Sequence, residues 1–335
     1  MHGRPWTVGC SRRPITSMLR AAVVARLALT VLSEPAAAAT RAWPRPDLEI
    51  SAVTFHRPPG GFALAGESAG ALRFCDRTAN IGRGSTLRRL HNTLILRGAD
   101  GVSRVVVQRD YPKLPGSPRV TRGTPPRHFS HGGCATGEGI LNVPPGAYDV
   151  RICADLKLEE VTHSNNCVRA DGKLYVAKRT WSGTTTGNGT IDINMQPQAE
   201  SWLATGLTYS FDRAKYQTGV FTYVATAGNV SWKTAASANG CVKSGASVDA
   251  RPEGTLIVDY TAGTGAYSAV ARHGTGFSYV VTNSCTPDDP ESGPARAVFL
   301  DSGIGGPPVS IPFGTNRLAG SRTQGDGSVI TWDLH

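Results

Sequence analysis

The feature that most constrains this chain is a short alternation of apolar and polar residues, repeated along the sequence and broken by glycine and proline. Leu48-Glu49-Ile50-Ser51-Ala52-Val53-Thr54-Phe55 has the period of two expected of a half-buried strand. Comparable runs lie at 71–75, 90–96, 102–107, 139–143, 148–154 and 174–177. The segments between them hold turn formers: Pro58-Pro59-Gly60-Gly61, Gly82-Arg83-Gly84 and Pro144-Pro145-Gly146. A long loop rich in Pro, Arg and Gly is expected between Tyr111 and Gly133. No stretch beyond residue 40 carries a helical period. The expected fold class is therefore all-β. With 335 residues there is room for about two domains. Apolar residues make up 40%, enough for a core, which argues against wholesale disorder.

The run Ser182-Gly183-Thr184-Thr185-Thr186-Gly187-Asn188-Gly189 is low in complexity and offers nothing to bury, so residues 179–200 read as a linker. It separates a first domain, 46–178, from a second β-rich domain, 201–335. Strands of the second are expected at 207–211, 219–225, 230–234, 255–261, 267–272, 276–282, 297–300 and 328–334. Ala227-Gly228-Asn229 and Ala262-Gly263-Thr264-Gly265 read as hairpin turns.

Residues 1–39 have the order of a secretory signal peptide. Arg12, Arg13 and Arg20 precede an apolar stretch from Ala21 to Leu32, then the small residues Ala36 to Ala39. Met18 is an alternative start that gives a shorter signal. Nothing later resembles a membrane span of about 20 apolar residues. The cysteines fit export. Cys10 falls in the signal, and six remain: Cys75, Cys134, Cys153, Cys167, Cys241 and Cys285. An even number without C-x-x-C spacing suits disulfides in an oxidising compartment rather than a zinc ribbon or a redox site. Cys241 and Cys285 are alone in the second half and are expected to pair.

The net charge of +10 is uneven, for residues 41–180 hold 21 Lys/Arg against 12 Asp/Glu. Arg83, Arg88, Arg89, Arg97, Arg119, Arg122 and Arg127 are candidates for holding an anionic extracellular polysaccharide, with a surface protein as the other partner class and no sequence-specific nucleic acid expected. Solvated surface charge is the plainer explanation.

Several motifs invite a chemical reading. Gly66-Glu67-Ser68-Ala69-Gly70 matches the nucleophile elbow of esterases, and His131-Gly132-Gly133 echoes an oxyanion loop. That loop follows the serine instead of preceding it, and a strand rather than a helix is expected after Gly70, so catalysis by Ser68 is the alternative and no catalytic residue is assigned. His128, His131 and Cys134 have zinc-compatible side chains, with His163 or Asp155 available as a fourth ligand. Asp155, Glu159 and Glu160 could offer oxygens to calcium. An exposed loop, a disulfide and a polar hairpin explain these residues as well, so neither metal nor cofactor is expected. Trp181, Trp202, Trp232 and Trp332 could make a carbohydrate platform, but such residues more often fill a β core.

Three segments carry a resemblance. Pro46-Asp47-Leu48-Glu49-Ile50-Ser51-Ala52-Val53 is followed by Cys75-Asp76-Arg77-Thr78-Ala79-Asn80-Ile81-Gly82-Arg83-Gly84. The third runs Pro144-Pro145-Gly146-Ala147-Tyr148-Asp149-Val150-Arg151-Ile152-Cys153-Ala154-Asp155 and on through Glu160 to Asn165-Asn166-Cys167. Together they resemble the opening strand, the second-strand Asn-x-Gly turn and the closing hairpin of the CARDB family, the cell-adhesion-related domain found in bacteria. The resemblance covers about residues 46–178. It implies an immunoglobulin-like β-sandwich of exported or surface proteins, with no defined chemistry. Within it, Cys153 and Cys167 flank the closing hairpin, where a disulfide could join neighbouring strands and stabilise by about 3 kcal/mol. The remaining pair would be Cys75 with Cys134, one of 15 connectivities open to six cysteines. The second domain loosely resembles an uncharacterised β-rich domain of secreted bacterial proteins around Gly240-Cys241, Ser284-Cys285 and Thr331-Trp332. The expectation is an exported, non-catalytic binding or adhesion-type protein, with a hydrolase using Ser68 or a purely structural envelope component as alternatives.

Overall fold

The computed structural model describes residues 44–118, 128–193, 196–238, 241–247, 252–262, 265–273, 278–294, 308–323, 327 and 329–335. Residues 43–335 form one compact unit. The expected signal peptide and the strand at 297–300 lie outside the described residues. Among the described residues the fold is all-β, as the alternation required, with two short 3₁₀ turns at Ala69–Ala71 and Arg213–Lys215.

The first half holds β1 (Leu48–His56), β2 (Phe62–Leu64), β3 (Arg73–Asn80), β4 (Leu90–Arg97), β5 (Ser103–Tyr111), β6 (Phe129–Thr136), β7 (Gly146–Cys153) and β8 (Cys167–Ala177). A three-stranded sheet in the order β1-β3-β6 and a five-stranded sheet in the order β2-β8-β7-β4-β5 enclose one core. Strand alternation supplies it: Leu48, Ile50 and Phe74 from the first sheet meet Leu94, Leu96, Tyr148, Val150 and Ile152 from the second. This is a sandwich, two sheets that bury their inner faces against each other.

The second half holds β9 (Thr180–Ile193), β10 (Gln196–Phe211), β11 (Val220–Ala238), β12 (Cys241–Ser247), β13 (Pro252–Asp259), β14 (Gly265–His273), β15 (Ser278–Asn283), β16 (Thr286–Pro294), β17 (Val309–Ile311), β18 (Leu318–Thr323) and β19 (Val329–Leu334). They form one large sheet. The first residues of β11 pair with β13, and its last residues pair with β12, so the strand serves two arms of the sheet. Its core contains Trp181, Tyr209, Phe221, Tyr223, Leu256, Val258, Tyr267 and Trp332, together with Phe62, Leu64, Ala147 and Ala177 from the first half. In the other direction, Phe313 packs edge-on against Tyr148 with ring centroids 5.2 Å apart. The two halves therefore exchange core residues.

Several expectations need correction. The segment read as a linker, 179–200, carries β9 and the start of β10, which pair along their length. Its glycines and threonines build little core, yet the hydrogen-bond ladder needs only backbone, and Trp181 at its start is fully buried. Ala227-Gly228-Asn229 is not a hairpin. It lies within β11 opposite a bulge in β10, where Thr205 pairs with Asn229 and Thr208 with Ala227. Gly206, at φ +60°, takes the left-handed conformation that such an extra residue requires. Residues 129–133, assigned to the long loop, belong to β6, whose glycines disguise the strand. Residues 139–143 form no strand; Ile140 makes only an isolated bridge to Ser68.

All three disulfides link the expected partners. Cys75 and Cys134 sit directly opposite on β3 and β6, with Cα atoms 3.9 Å apart. Cys153 and Cys167 do the same on β7 and β8 at 4.1 Å. Cys241 joins Cys285 across 5.5 Å.

The sandwich is also held by buried polar groups. Asp76, only 4% exposed, accepts hydrogen bonds from Tyr111 Oη (2.7 Å), Thr78 Oγ1 (2.9 Å) and Asn92 Nδ2 (2.5 Å). These donors come from β3, β4 and β5, so one carboxylate ties the two sheets through the core. Burial, followed by the bond to Asp76, raises the Tyr111 hydroxyl pKa far above its ordinary value, so it stays a donor. Tyr111→Phe is expected to cost about 1.5–3 kcal/mol, the range for a hydrogen bond to a charged group. Denaturant unfolding at neutral pH checks this, and an unchanged midpoint contradicts it.

Candidate functional site

The residues that carried the family resemblance turn out to be packing devices. Asn80 donates to the carbonyls of Gly84 (2.7 Å) and Pro115 (3.0 Å) and accepts from the amides of Asp47 and Gly82 (both 3.1 Å). Gly82 is required here because the backbone of Pro46 and Asp47 occupies the place of a side chain. Glu160, 6% exposed, accepts from the Leu48 amide (2.8 Å) and from Asn166 Nδ2 (3.0 Å), so the β7–β8 connection clamps the start of β1. Burial pushes the Glu160 carboxyl pKa up, against the pull of these two donors.

Asp155, 2% exposed, takes a two-pronged contact from Arg88 at 2.7 and 3.0 Å and also accepts from the amides of His91 and Lys157. These carboxylates are committed to structure. Among the described residues no group of His, Cys, Asp and Glu could hold a metal ion. His128 meets Ser117 Oγ at 3.0 Å, His131 stacks on Tyr111, and the sulfur of Cys134 is in a disulfide. Ser68 caps the first 3₁₀ turn, accepting from the Gly70 amide at 3.1 Å, and among the described residues no histidine bonds to it. Trp181 and Trp332 are core residues, the latter donating to Tyr267 Oη at 2.7 Å. Trp202 and Trp232 are backbone partners across β10 and β11.

Among the described residues, the outer face of the five-stranded sheet carries charged side chains on its strands. On β7 the inward residues Tyr148, Val150 and Ile152 leave Asp149 and Arg151 pointing outward. Register places Arg97, Asp149 and Lys173 in one row across β4, β7 and β8, and Ile95, Arg151 and Arg169 in the next. Towards β5 the face hollows into a groove of about 310 Å³, lined by His91, Thr93, Ile95, Val105, Gln108 and Lys157, with the buried Asp155 also contributing. His91 Nδ1 lies 2.7 Å from Asp110, and this contact, with a lesser one from Gln108, holds the Asp110 carboxyl below the usual range. A second depression, of about 410 Å³ on the large sheet, mixes hydroxyls from Thr186, Ser201, Ser231 and Thr331 with the apolar Leu203 and Val329.

Of the arginines singled out from the sequence, the described ones fall in two places. Arg83, Arg88 and Arg89 lie in the exposed connection before β4. Arg97 ends that strand, on the order of 25 Å away at about 3.3 Å per residue. Arg119, Arg122 and Arg127 lie outside the described residues. Arg151, Arg169 and Lys173 were missed; the alternation of Tyr148-Asp149-Val150-Arg151-Ile152 already sorts Arg151 to the outer face, whereas Arg169 and Lys173 on β8 flank an irregular register that the sequence does not reveal.

Comparison with protein-family models gives no match for this chain, and comparison with curated proteins gives none. Fold and linkages define the class: an all-β protein of sandwich type, closed by three disulfides that suit an oxidising environment. Among the described residues no helix is long and apolar enough to cross a membrane.

Two expectations follow for single residues. Arg88→Ala strips a buried carboxylate of its cation and is expected to cost about 2 kcal/mol, less than the ~3–5 of a fully buried pair, because Arg88 is 41% exposed and partly screened. Arg89→Ala should stay within about 0.5 kcal/mol. Equal melting temperatures for the two variants would contradict the assignment. For Glu160 the sign follows from its raised pKa. Between the ordinary glutamate value and the raised one the folded state keeps a proton that the unfolded state has lost, so rising pH lowers stability across that window and no further above it. The stability advantage of wild type over Glu160→Gln should therefore shrink as pH rises from acid to neutral in paired thermal melts; a constant difference contradicts this.

Proposed function

We propose that this is an exported binding protein whose first half is a CARDB-type, immunoglobulin-like sandwich that holds an anionic extracellular polysaccharide on the outer face of its five-stranded sheet. The observation that carries the reading is the two rows of cations on that face: Arg97, Arg151, Arg169 and Lys173 come from three strands in register and outnumber the acids beside them, Asp149 on β7 and the exposed Asp171 between Arg169 and Lys173 on β8. Such a surface attracts an extended polyanion, and a groove beside it gives room for uncharged parts of the chain. Export is supported by the disulfides and by the order of charged, apolar and small residues in 1–39. The second half, sharing core residues with the first, acts as a rigid companion module.

The test is binding of the full mature chain to carboxylated and sulfated polysaccharides and to a neutral glucan, titrated with salt. Saturable binding to an acidic polymer that survives about 0.15 M salt, where screening reaches roughly 8 Å, is the expected result. Binding to the neutral glucan alone, or capture only by a surface protein, overturns it.

A further inference from the structure

The two rows of the outer face are not equivalent. In the first, Asp149 stands between Arg97 and Lys173. In the second, Arg151 and Arg169 face each other directly across β7 and β8, an arrangement that is destabilising when nothing neutralises it. Among the described residues, the one ion pair formed by either of them belongs to Arg169, whose Nη2 donates to Asp149 Oδ1 at 2.7 Å. Arg151 has no ion pair among the described residues, and its Nε is shut off from solvent with no hydrogen-bond partner. Its neighbour on the other side is the apolar Ile95, which offers no acceptor. A guanidinium that is unpaired, has an orphaned N–H and stands in register with a second arginine lacks an anion.

We propose that Arg151 and Arg169 form an oxyanion subsite for a sulfate or carboxylate group carried by the polysaccharide. The proposal rests on the polymer-binding reading above and names the contact within it. Once the Arg151 side chain swings outward from its covered position, Nε–H and one Nη–H can meet two oxygens of the same group, the side-on geometry for which a planar fork is suited. Arg169, 64% exposed, closes over the opposite side while keeping Asp149. The bound anion removes the like-charge opposition and supplies the missing acceptor together.

The experiment compares wild type, Arg151→Gln and Arg151→Lys as full mature chains. Two probes are used: a sulfated glucan in a binding titration, and millimolar inorganic sulfate against chloride at matched ionic strength in thermal melts. Arg151→Gln should bind the polymer about tenfold more weakly and lose the extra stabilisation by sulfate. Its own melting temperature without anion should be unchanged or higher, since an opposed charge is gone. Arg151→Lys keeps the charge without the fork and should fall between the two; it also serves if Arg151→Gln folds poorly. Polymer binding equal in all three proteins overturns the subsite and leaves the polymer reading standing. Sulfate stabilisation confined to proteins with Arg151, with no polymer binding by any of them, supports the subsite and overturns the polymer reading. No polymer binding together with equal sulfate effects overturns both.

Discussion

Three carboxylates buried in the first sandwich set the terms for what surrounds them. Asp76, Asp155 and Glu160 are each 6% exposed or less, and a charge so placed is tolerable only when donors converge on it. The fold meets that demand with groups from distant parts of the chain: Tyr111, Thr78 and Asn92 on Asp76; Arg88 and two amides on Asp155; the Leu48 amide and Asn166 on Glu160. Each set crosses between elements, so the same bonds that neutralise the burial cost also fix where the connections lie. At Glu160 the donors do not fully offset the burial, and its carboxyl pKa stays raised.

That commitment decides which polar residues are left for function. Asp155, Glu160 and Cys134 had been candidates for metal, and Ser68 for catalysis. All four are engaged in holding the chain: a two-pronged ion pair, a strand clamp, a disulfide and a turn cap. The outer face of the five-stranded sheet differs in kind. Its cations stand in exposed or half-buried positions on strands that the core behind them holds rigid, and Arg151 has no internal partner. A ligand contact built on strands is better positioned than one built on the exposed connection that carries Arg83 and Arg89.

The first half was legible because its inner faces are apolar and its strands short. β1, β4 and β7 follow directly from alternation, and register then brings each cysteine pair together. β6 and β9 were not legible, since glycine and threonine leave no hydrophobic period and the ladder that makes them strands is a backbone property. Gly228 misled for a related reason: glycine signals a departure from regular strand, and the sequence alone does not say whether that departure is a reversal or a bulge. Of the candidate site, the excess of arginine was visible and its placement was not. Counting charge favoured the loops, whereas pairing across β4, β7 and β8, a long-range property, assembles Arg97, Arg151, Arg169 and Lys173.

The central claim is that this one face meets the polymer, and arginine-selective chemical footprinting with and without an acidic polysaccharide tests it most directly. Arg73 and Arg77 are exposed on the three-stranded sheet, on the other side of the core, and serve as internal references. The account predicts that polymer slows modification of Arg97, Arg151 and Arg169 while Arg73 and Arg77 react as before. Protection of Arg73 and Arg77 instead, or uniform protection of all five, would contradict it.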